Sequence, residues 1–168
     1  MFFAHYYELT PDLCKERGID LLLIDIDNTL APYEVSEPDE RCKEWFLSMN
    51  ESGVSTVLIS NNKKDRVELF ARSLGVEYFY DAHKPSVKFY KRAMGKYDVT
   101  ADHVAVLGDQ LLTDSLSGRR IGATVFIVPP INDKKNWFFR MKRKMEAPVM
   151  RRYFKVNGID PSVGKEWL

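Results

Sequence analysis

Four places in this 168-residue chain gather side chains that could do chemistry together. Asp25 and Asp27 stand two apart directly after the apolar run that starts at Leu21. Ser60 and Asn61 close a β-branched run that starts at Ser55. His83, Lys84 and Pro85 follow the short run Val76–Tyr80. Gly108, Asp109 and Gln110 follow Val104–Leu107, with Asp114 a few residues on. Each set alone has a plain structural use. An Asp-x-Asp pair after a strand often makes a turn and a helix cap, Ser60-Asn61-Asn62 suits a helix N-cap region, and Asp109 and Asp114 could cap the helix that follows. Together they offer carboxylates, a hydroxyl and an ammonium. Carboxylates crowded at one place repel unless a cation sits among them. The ligands are hard oxygens, so Mg²⁺ is the natural occupant.

The elements that must position these groups follow from pattern. Leu21–Asp25, Ser55–Ser60, Val76–Tyr80, Val104–Leu107 and Thr124–Val128 read as strands without polar alternation. Helical segments separate them. Thr10-Pro11 opens a short helix closed by Gly18, and Ser36–Ser52 reads as a helix with Pro38 in its first turn. Asn62 caps a helix over Lys63–Leu74, Pro85 opens another that carries Tyr90 and Ala93, and Leu111–Arg120 forms the next. Apolar strands alternating with helices predict a parallel sheet covered on both faces, hence a doubly wound, Rossmann-like α/β fold with five strands. Ligands in such sheets bind beyond the carboxyl ends of the strands, where all four sets fall. His83 and His103 are expected to be structural or exposed, and Trp45, Phe46 and Met49 to belong to the core.

At this point the chain resembles a known family. Leu23-Ile24-Asp25-Ile26-Asp27-Asn28-Thr29-Leu30 is similar to the first motif of the haloacid dehalogenase (HAD) superfamily of phosphohydrolases. Ser60 matches the second motif, Lys84 the third and Gly108-Asp109-Gln110-Leu111-Leu112-Thr113-Asp114 the fourth, in order and at fitting spacing. The form of the fourth motif resembles subfamily IIIA, and the whole chain is similar to the YqeG-type HAD phosphatases. The resemblance implies a Mg²⁺-dependent phosphomonoester hydrolase that works through an aspartyl-phosphate. Asp25 would be the nucleophile and Asp27 the general acid and base. Ser60 and Asn61 would bind phosphoryl oxygens, and Lys84 would offset their charge. Asp25, the backbone carbonyl of Asp27 and Asp109 would hold the metal, with Asp114 one step behind or orienting Lys84. Only about 25 residues separate the first motif from the second strand, and about 20 separate Ser60 from Lys84. One helix, or one helix and a strand, consumes each interval, so the chain is expected to be capless with an open site. Capless members resemble enzymes acting on large or surface-bound substrates. Eukaryotic relatives of the YqeG-type group dephosphorylate phosphatidylglycerophosphate, which makes that lipid the implied substrate. Nucleotides, phosphoproteins and nucleic-acid ends are the alternative substrates, and a non-catalytic RNA- or protein-binding module is the alternative of another class.

Composition sets the remaining bounds. Apolar residues make up 45% and charged residues 29%, the balance of a globular chain and not of a disordered one. No run approaches the ~20 apolar residues of a membrane-spanning helix, and Met1–Tyr7 does not read as a secretory signal. Cys14 and Cys42 form no spacing motif and read as reduced cytoplasmic thiols. Charge is uneven. Nine Lys or Arg and a single acidic residue, Glu146, lie between Lys134 and Lys155, so that segment carries +8 and the rest of the +1 chain carries −7. The expected organisation is a catalytic core over 1–128 and a basic, aromatic extension over 129–168. Trp137, Phe138, Phe139 and Met141 sit there among Lys134, Lys135, Arg140, Lys142, Arg143 and Lys144. Such a mix suits peripheral contact with an anionic membrane surface at the inner face of the membrane, joined by Met1, Phe2, Phe3, Tyr6 and Tyr7; packing of the aromatics on the core beneath merely solvated charges is the equal alternative, and nucleic acid is the less favoured partner.

Overall fold

In the computed structural model, which describes residues 1–132 and 137–160, the apolar runs form β1 (Leu21–Ile24), β2 (Ser55–Ile59), β3 (Glu77–Phe79), β4 (Val104–Gly108) and β5 (Thr124–Ile127). All neighbours pair in parallel, in the order β3-β2-β1-β4-β5. Successive side chains of a strand face opposite ways. Leu22, Ile24, Leu58, Ala105 and Leu107 enter one core, and Leu21, Leu23, Val57, Ile59, Val104 and Val106 enter the other. Because both faces are covered, the strands carry no polar alternation.

The first core is covered by α1 (Pro11–Glu16), α2 (Glu40–Glu51) and α3 (Lys64–Leu74), which contribute Cys14, Trp45, Phe46, Met49, Val67 and Phe70. The second is covered by α4 (Lys88–Tyr97), through Tyr90 and Ala93, with Ile121 of α5 (Leu116–Ile121) beside them. This is the doubly wound α/β architecture expected. Nothing but α2 and its flanking loops lies between β1 and β2, and α3 fills the interval between β2 and β3, so there is no cap. Cys14 and Cys42 are free and buried.

Local boundaries differ from the sequence reading where a cap wins over a proline. Asp39, not Ser36, caps α2: its Oδ1 accepts the Cys42 N–H at 2.8 Å, and Pro38 precedes the cap. The helix expected from Pro85 begins at Lys88. The helix expected over Leu111–Arg120 is a π-helical turn, Leu111–Ser115, that runs into α5. Asn62 does not cap α3; Lys63 occupies the cap position, and the Asn62 side chain accepts the Lys63 N–H at 2.8 Å and donates to Asp27.

The largest departure is beyond Pro129, where the regular pattern stops in the sequence. There α6 (Trp137–Asn157) runs for 21 residues with Pro148 inside it. Ala147, Met150 and Phe154 recur at helical spacing and are buried, and Met150 and Phe154 pack with Ile127, Phe2 and Tyr153. The charges around them mask this stripe when the sequence is read by composition. Lys134 and Lys135 lie outside the described residues, as do the side chains of Trp137, Phe138, Phe139, Arg140, Lys142 and Arg143. No described helix is long and apolar enough to cross a membrane.

The N-terminal aromatics do not share one face. Phe2 bridges to Ile127 along the open edge of β5, and its ring meets Phe154 at 4.9 Å. Phe3 packs on Phe126 at 5.5 Å, and Tyr6 on Trp45 at 5.4 Å. Alternation along an extended segment sends neighbours to opposite sides. The Phe3 N–H donates to Ile127 O at 2.9 Å and the Ile127 N–H to Met1 O at 2.9 Å, so this segment also covers an exposed sheet edge.

Candidate active site

The chain winds outward from β1 to β3, then returns to place β4 on the other side of β1. A crevice opens where the order reverses, at the carboxyl ends of β1 and β4. Asp25 and Asp109 are the residues that leave those two strands, and the Asp25 N–H still donates to Leu107 O at 2.9 Å. Asp25, Asp109 and Asp114 are all buried, and each offers a carboxylate oxygen within 4.8 Å of the others.

Lys84 reaches into this group. Its Nζ lies 2.6 Å from Asp25 Oδ1 and 2.8 Å from Asp114 Oδ1, and the side chain is 2% exposed. Burial holds the Asp25 carboxyl well above the ordinary carboxylate range; Lys84 pulls it back, while Asp114, Asp109 and Asp27 push it further up. Burial draws the Lys84 ammonium down, but Asp114 and Asp25 together hold it well above the ordinary lysine range. One ammonium therefore faces the carboxylates of Asp25 and Asp114, with Asp109 in the same cluster. The carboxylates outnumber this ammonium, and the all-oxygen donor set fits a divalent cation.

Backbone and side-chain contacts fix these positions. Asn61 Oδ1 accepts the Lys84 N–H at 2.6 Å, and Asn61 Nδ2 donates to Lys84 O at 3.4 Å, so Asn61 clamps the loop that carries the ammonium. Asp114 Oδ2 accepts from the Gln110 N–H and the Thr113 hydroxyl, both at 3.2 Å. Gly108 makes room for Asp114: a Cβ on Gly108 would stand 2.3 Å from Asp114 Cγ. The Thr29 hydroxyl donates to Asp109 Oδ1 at 3.4 Å.

Asp27 sits at the rim, with its side chain 17% exposed. Its Oδ1 accepts from Arg66 Nε at 3.3 Å and Nη2 at 3.0 Å. Its Oδ2 accepts from Asn62 Nδ2 at 3.1 Å and the buried Ser60 hydroxyl at 3.4 Å. A polar cavity of about 370 Å³ opens over these groups, and Asp25, Asp27, Asn61, Lys84, Gln110 and Thr113 are among its walls.

The fold thus brings Asp25, Asp27, Ser60, Asn61, Lys84, Asp109 and Asp114 to one crevice. Neither His83 nor His103 joins them: His83 is exposed, and His103 pairs with Asp20 at the amino-terminal edge of the sheet. The sequence reading missed Arg66 and Tyr90. Arg66 sits in the first turn of α3, and that position was the available signal, since the helix starts at the same sheet edge. Tyr90 is buried behind Lys84 and Asp114, with its hydroxyl held by Ser117. It read as a core residue of α4, and nothing in its spacing set it apart.

Comparison with known proteins agrees with this geometry. A family model described as HAD-hydrolase-like matches residues 81–130. The chain is 34% identical over 149 residues to the "Probable phosphatase YqeG" of Bacillus subtilis (strain 168), covering 89% of this chain and 87% of that one. Among solved structures, its fold is similar to 3-deoxy-D-manno-octulosonate 8-phosphate phosphatase from Yersinia pestis, with TM-score 0.57 and 16% identity over 71% of this chain and 70% of that one. The cobalt-bound deoxy-D-mannose-octulosonate 8-phosphate phosphatase of Haemophilus influenzae gives TM-score 0.54 and 15% identity over 67% and 70%.

Proposed function

The chain belongs to the HAD superfamily, among its YqeG-type phosphatases, and from that premise we propose that it hydrolyses phosphomonoesters with Mg²⁺ through an aspartyl-phosphate on Asp25. The observation that carries the reading is Lys84 Nζ held between Asp25 and Asp114, in a cluster that also contains Asp109, at the switch point of the sheet.

In the first step an Asp25 oxygen attacks phosphorus, the bond to the ester oxygen breaks, and Asp27 gives that oxygen a proton. In the second, Asp27 takes a proton from water as the water attacks the phosphorus of the acyl phosphate, which frees Asp25 and inorganic phosphate. Arg66 and Asn62 hold Asp27 at the cavity rim, a position that suits proton transfer to a leaving group. Ser60 and Asn61 donate to the phosphoryl oxygens; the 3.4 Å bonds from Ser60 Oγ to Asp27 and from Asn61 Nδ2 to Lys84 O are long enough to exchange for them. Lys84 offsets charge on the phosphoryl group, and its two carboxylate contacts keep it preorganised for that task. The side chains of Asp25 and Asp109 and the carbonyl of Asp27 would hold Mg²⁺, with Asp114 behind them. When bound, the ion screens the carboxylates from an incoming phosphate and withdraws charge from it.

With no cap over the crevice among the described residues, bulky esters can enter. The basic α6 beside it supports a substrate presented at an anionic surface, and phosphatidylglycerophosphate is the substrate we put forward. The direct test is turnover of a soluble aryl phosphate. Wild type should be active with Mg²⁺, silent in EDTA and restored by Mg²⁺, and Asp25→Asn should be inactive while keeping its fold. Substantial turnover by purified Asp25→Asn, or metal-independent turnover, overturns the mechanism.

A further inference from the structure

A second cavity, apolar and about 380 Å³, lies between α6, the π-helical turn and the covered edge of β5. Leu111, Leu112, Met145, Val149 and Met150 form much of its wall, and exposed Arg119 stands at it. It shares one turn with the active site: Gln110 and Thr113 line the polar cavity, while Leu111 and Leu112 line the apolar one.

The helix above it is divided lengthwise. Met141, Met145, Val149 and Val156 fall on one side at helical spacing and are 40, 62, 60 and 75% exposed. Lys144 and Lys155, also exposed, fall on the next strip of the helix together with Arg151. The one acidic residue of α6, Glu146, is turned inward and accepts the Leu112 N–H at 3.0 Å. Solvent therefore meets an apolar ridge, interrupted by exposed Arg152, beside cations and over an apolar cleft.

We propose that this cleft and ridge form a docking site for an anionic phospholipid bilayer, with one acyl chain entering the cleft and Lys144, Lys155 and Arg119 facing lipid phosphates. The substrate placement in this assignment rests on the phosphatase reading; the docking itself does not. Charge selects the occupant. A second copy docked face to face would oppose cations to cations. A bilayer bearing anionic headgroups attracts the +8 segment and repels the −7 remainder, so a single orientation is favoured, with α6 against the lipid. The ridge supplies the apolar half of an interfacial helix, and methionines give the cleft walls that adapt to a flexible chain. A single turn of backbone separates the cleft from the crevice.

The test uses the full chain and three readouts. Co-sedimentation with phosphatidylglycerol/phosphatidylcholine vesicles, against pure phosphatidylcholine vesicles, reads docking. Methyl NMR of Met145 and Met150 with dihexanoylphosphatidylglycerol below its micelle concentration, against glycerol phosphate, reads chain entry. Turnover of a soluble aryl phosphate reads the active site. Wild type should bind the anionic vesicles alone and release them in high salt. Val149→Asp should abolish binding, and Lys144→Glu/Lys155→Glu should weaken it by at least about thirtyfold, both with unchanged aryl phosphate turnover. The methionine methyls should shift with the lipid and not with glycerol phosphate. Anionic-vesicle binding by a chain that turns over no phosphate ester supports the docking site and removes the phosphatase reading. Absent or charge-independent vesicle binding, unmoved methyls, a dimer that Val149→Asp dissolves, or a folded Val149→Asp that loses aryl phosphate turnover each overturns the proposal.

Discussion

The Asp25–Lys84 pair links fold stability to chemistry. Asp25 binds its proton more tightly in the folded chain than in the unfolded one, where a carboxyl titrates near ~3.9. As pH rises through that value, the unfolded state gives up its proton first, so the metal-free folded state loses stability from there toward the raised folded value. Asn at this position keeps the shape and removes the ionisation. Metal-free Asp25→Asn should therefore melt higher than metal-free wild type at neutral pH, with a flatter pH dependence above pH ~4, and should gain less from added Mg²⁺. Lys84 has the opposite sign. Its folded value is raised, so its contribution is complete at neutral pH and is lost only as pH climbs past the ordinary lysine value of ~10.4. Lys84→Met leaves two buried carboxylates facing each other and should cost about 3–5 kcal/mol in EDTA by denaturant titration; a cost under about 1 kcal/mol would show that the pair adds no net stability. At this scale the sequence was readable where chemistry follows a strand directly, as with Asp25, Ser60 and Asp109, and where a short loop carries it, as with Lys84. It was not readable for Arg66, which meets Asp27 across 39 residues, because nothing local marks a partner brought by the fold.

Among the elements, the strand ends and the turns beyond them do most of the positioning. Continuous burial marked the strands in the sequence, since a parallel sheet covered on both faces admits few polar residues. Helix starts were less legible. Proline is tolerated in a first turn but does not compel one, and the Asp39 side chain, not Pro38, satisfies the free N–H of α2. The π-helical turn after β4 was not legible either. Its extra residue per turn leaves no mark on a five-residue apolar-polar pattern, and its shape depends on Asp114 folding back over Gly108. That closeness gives a sharp prediction. Gly108→Ala would put a methyl 2.3 Å from Asp114 Cγ, inside any real contact, and the obstacle is a buried carboxylate held by Lys84, Gln110 and Thr113. Gly108→Ala should lose about 1–3 kcal/mol and, with Asp114 displaced, most of its phosphatase activity. Thermal melts and aryl phosphate turnover check this; a stable, active variant would mean that the turn relaxes freely and Asp114 is not held where the structure has it.

Over the whole molecule, the chain is asymmetric in charge yet continuous in packing, and α6 belongs to both descriptions. Read by composition, residues 129–168 look like a basic, aromatic extension of the core. In the fold, Met150 and Phe154 are 3% and 1% exposed and close a cluster with Ile127 and Phe2 at the β5 edge. Apolar burial of that size contributes about 1.5–3 kcal/mol per side chain, against a total stability of about 5–15 kcal/mol for a typical domain. Removing 134–168 should therefore depress the melting temperature and turnover of soluble and lipid esters together, because it uncovers Ile127 and Phe2 next to the turn that carries Asp114. Phe154→Ala isolates the packing part and should cost about 3–5 kcal/mol by denaturant titration. Val149→Asp, on the exposed side of the same helix, should stay within about 0.5 kcal/mol of wild type. The two substitutions thus divide the helix. If Phe154→Ala proves as mild as Val149→Asp, α6 is not anchored through its inner face, and the truncated chain should then keep its turnover of small soluble esters.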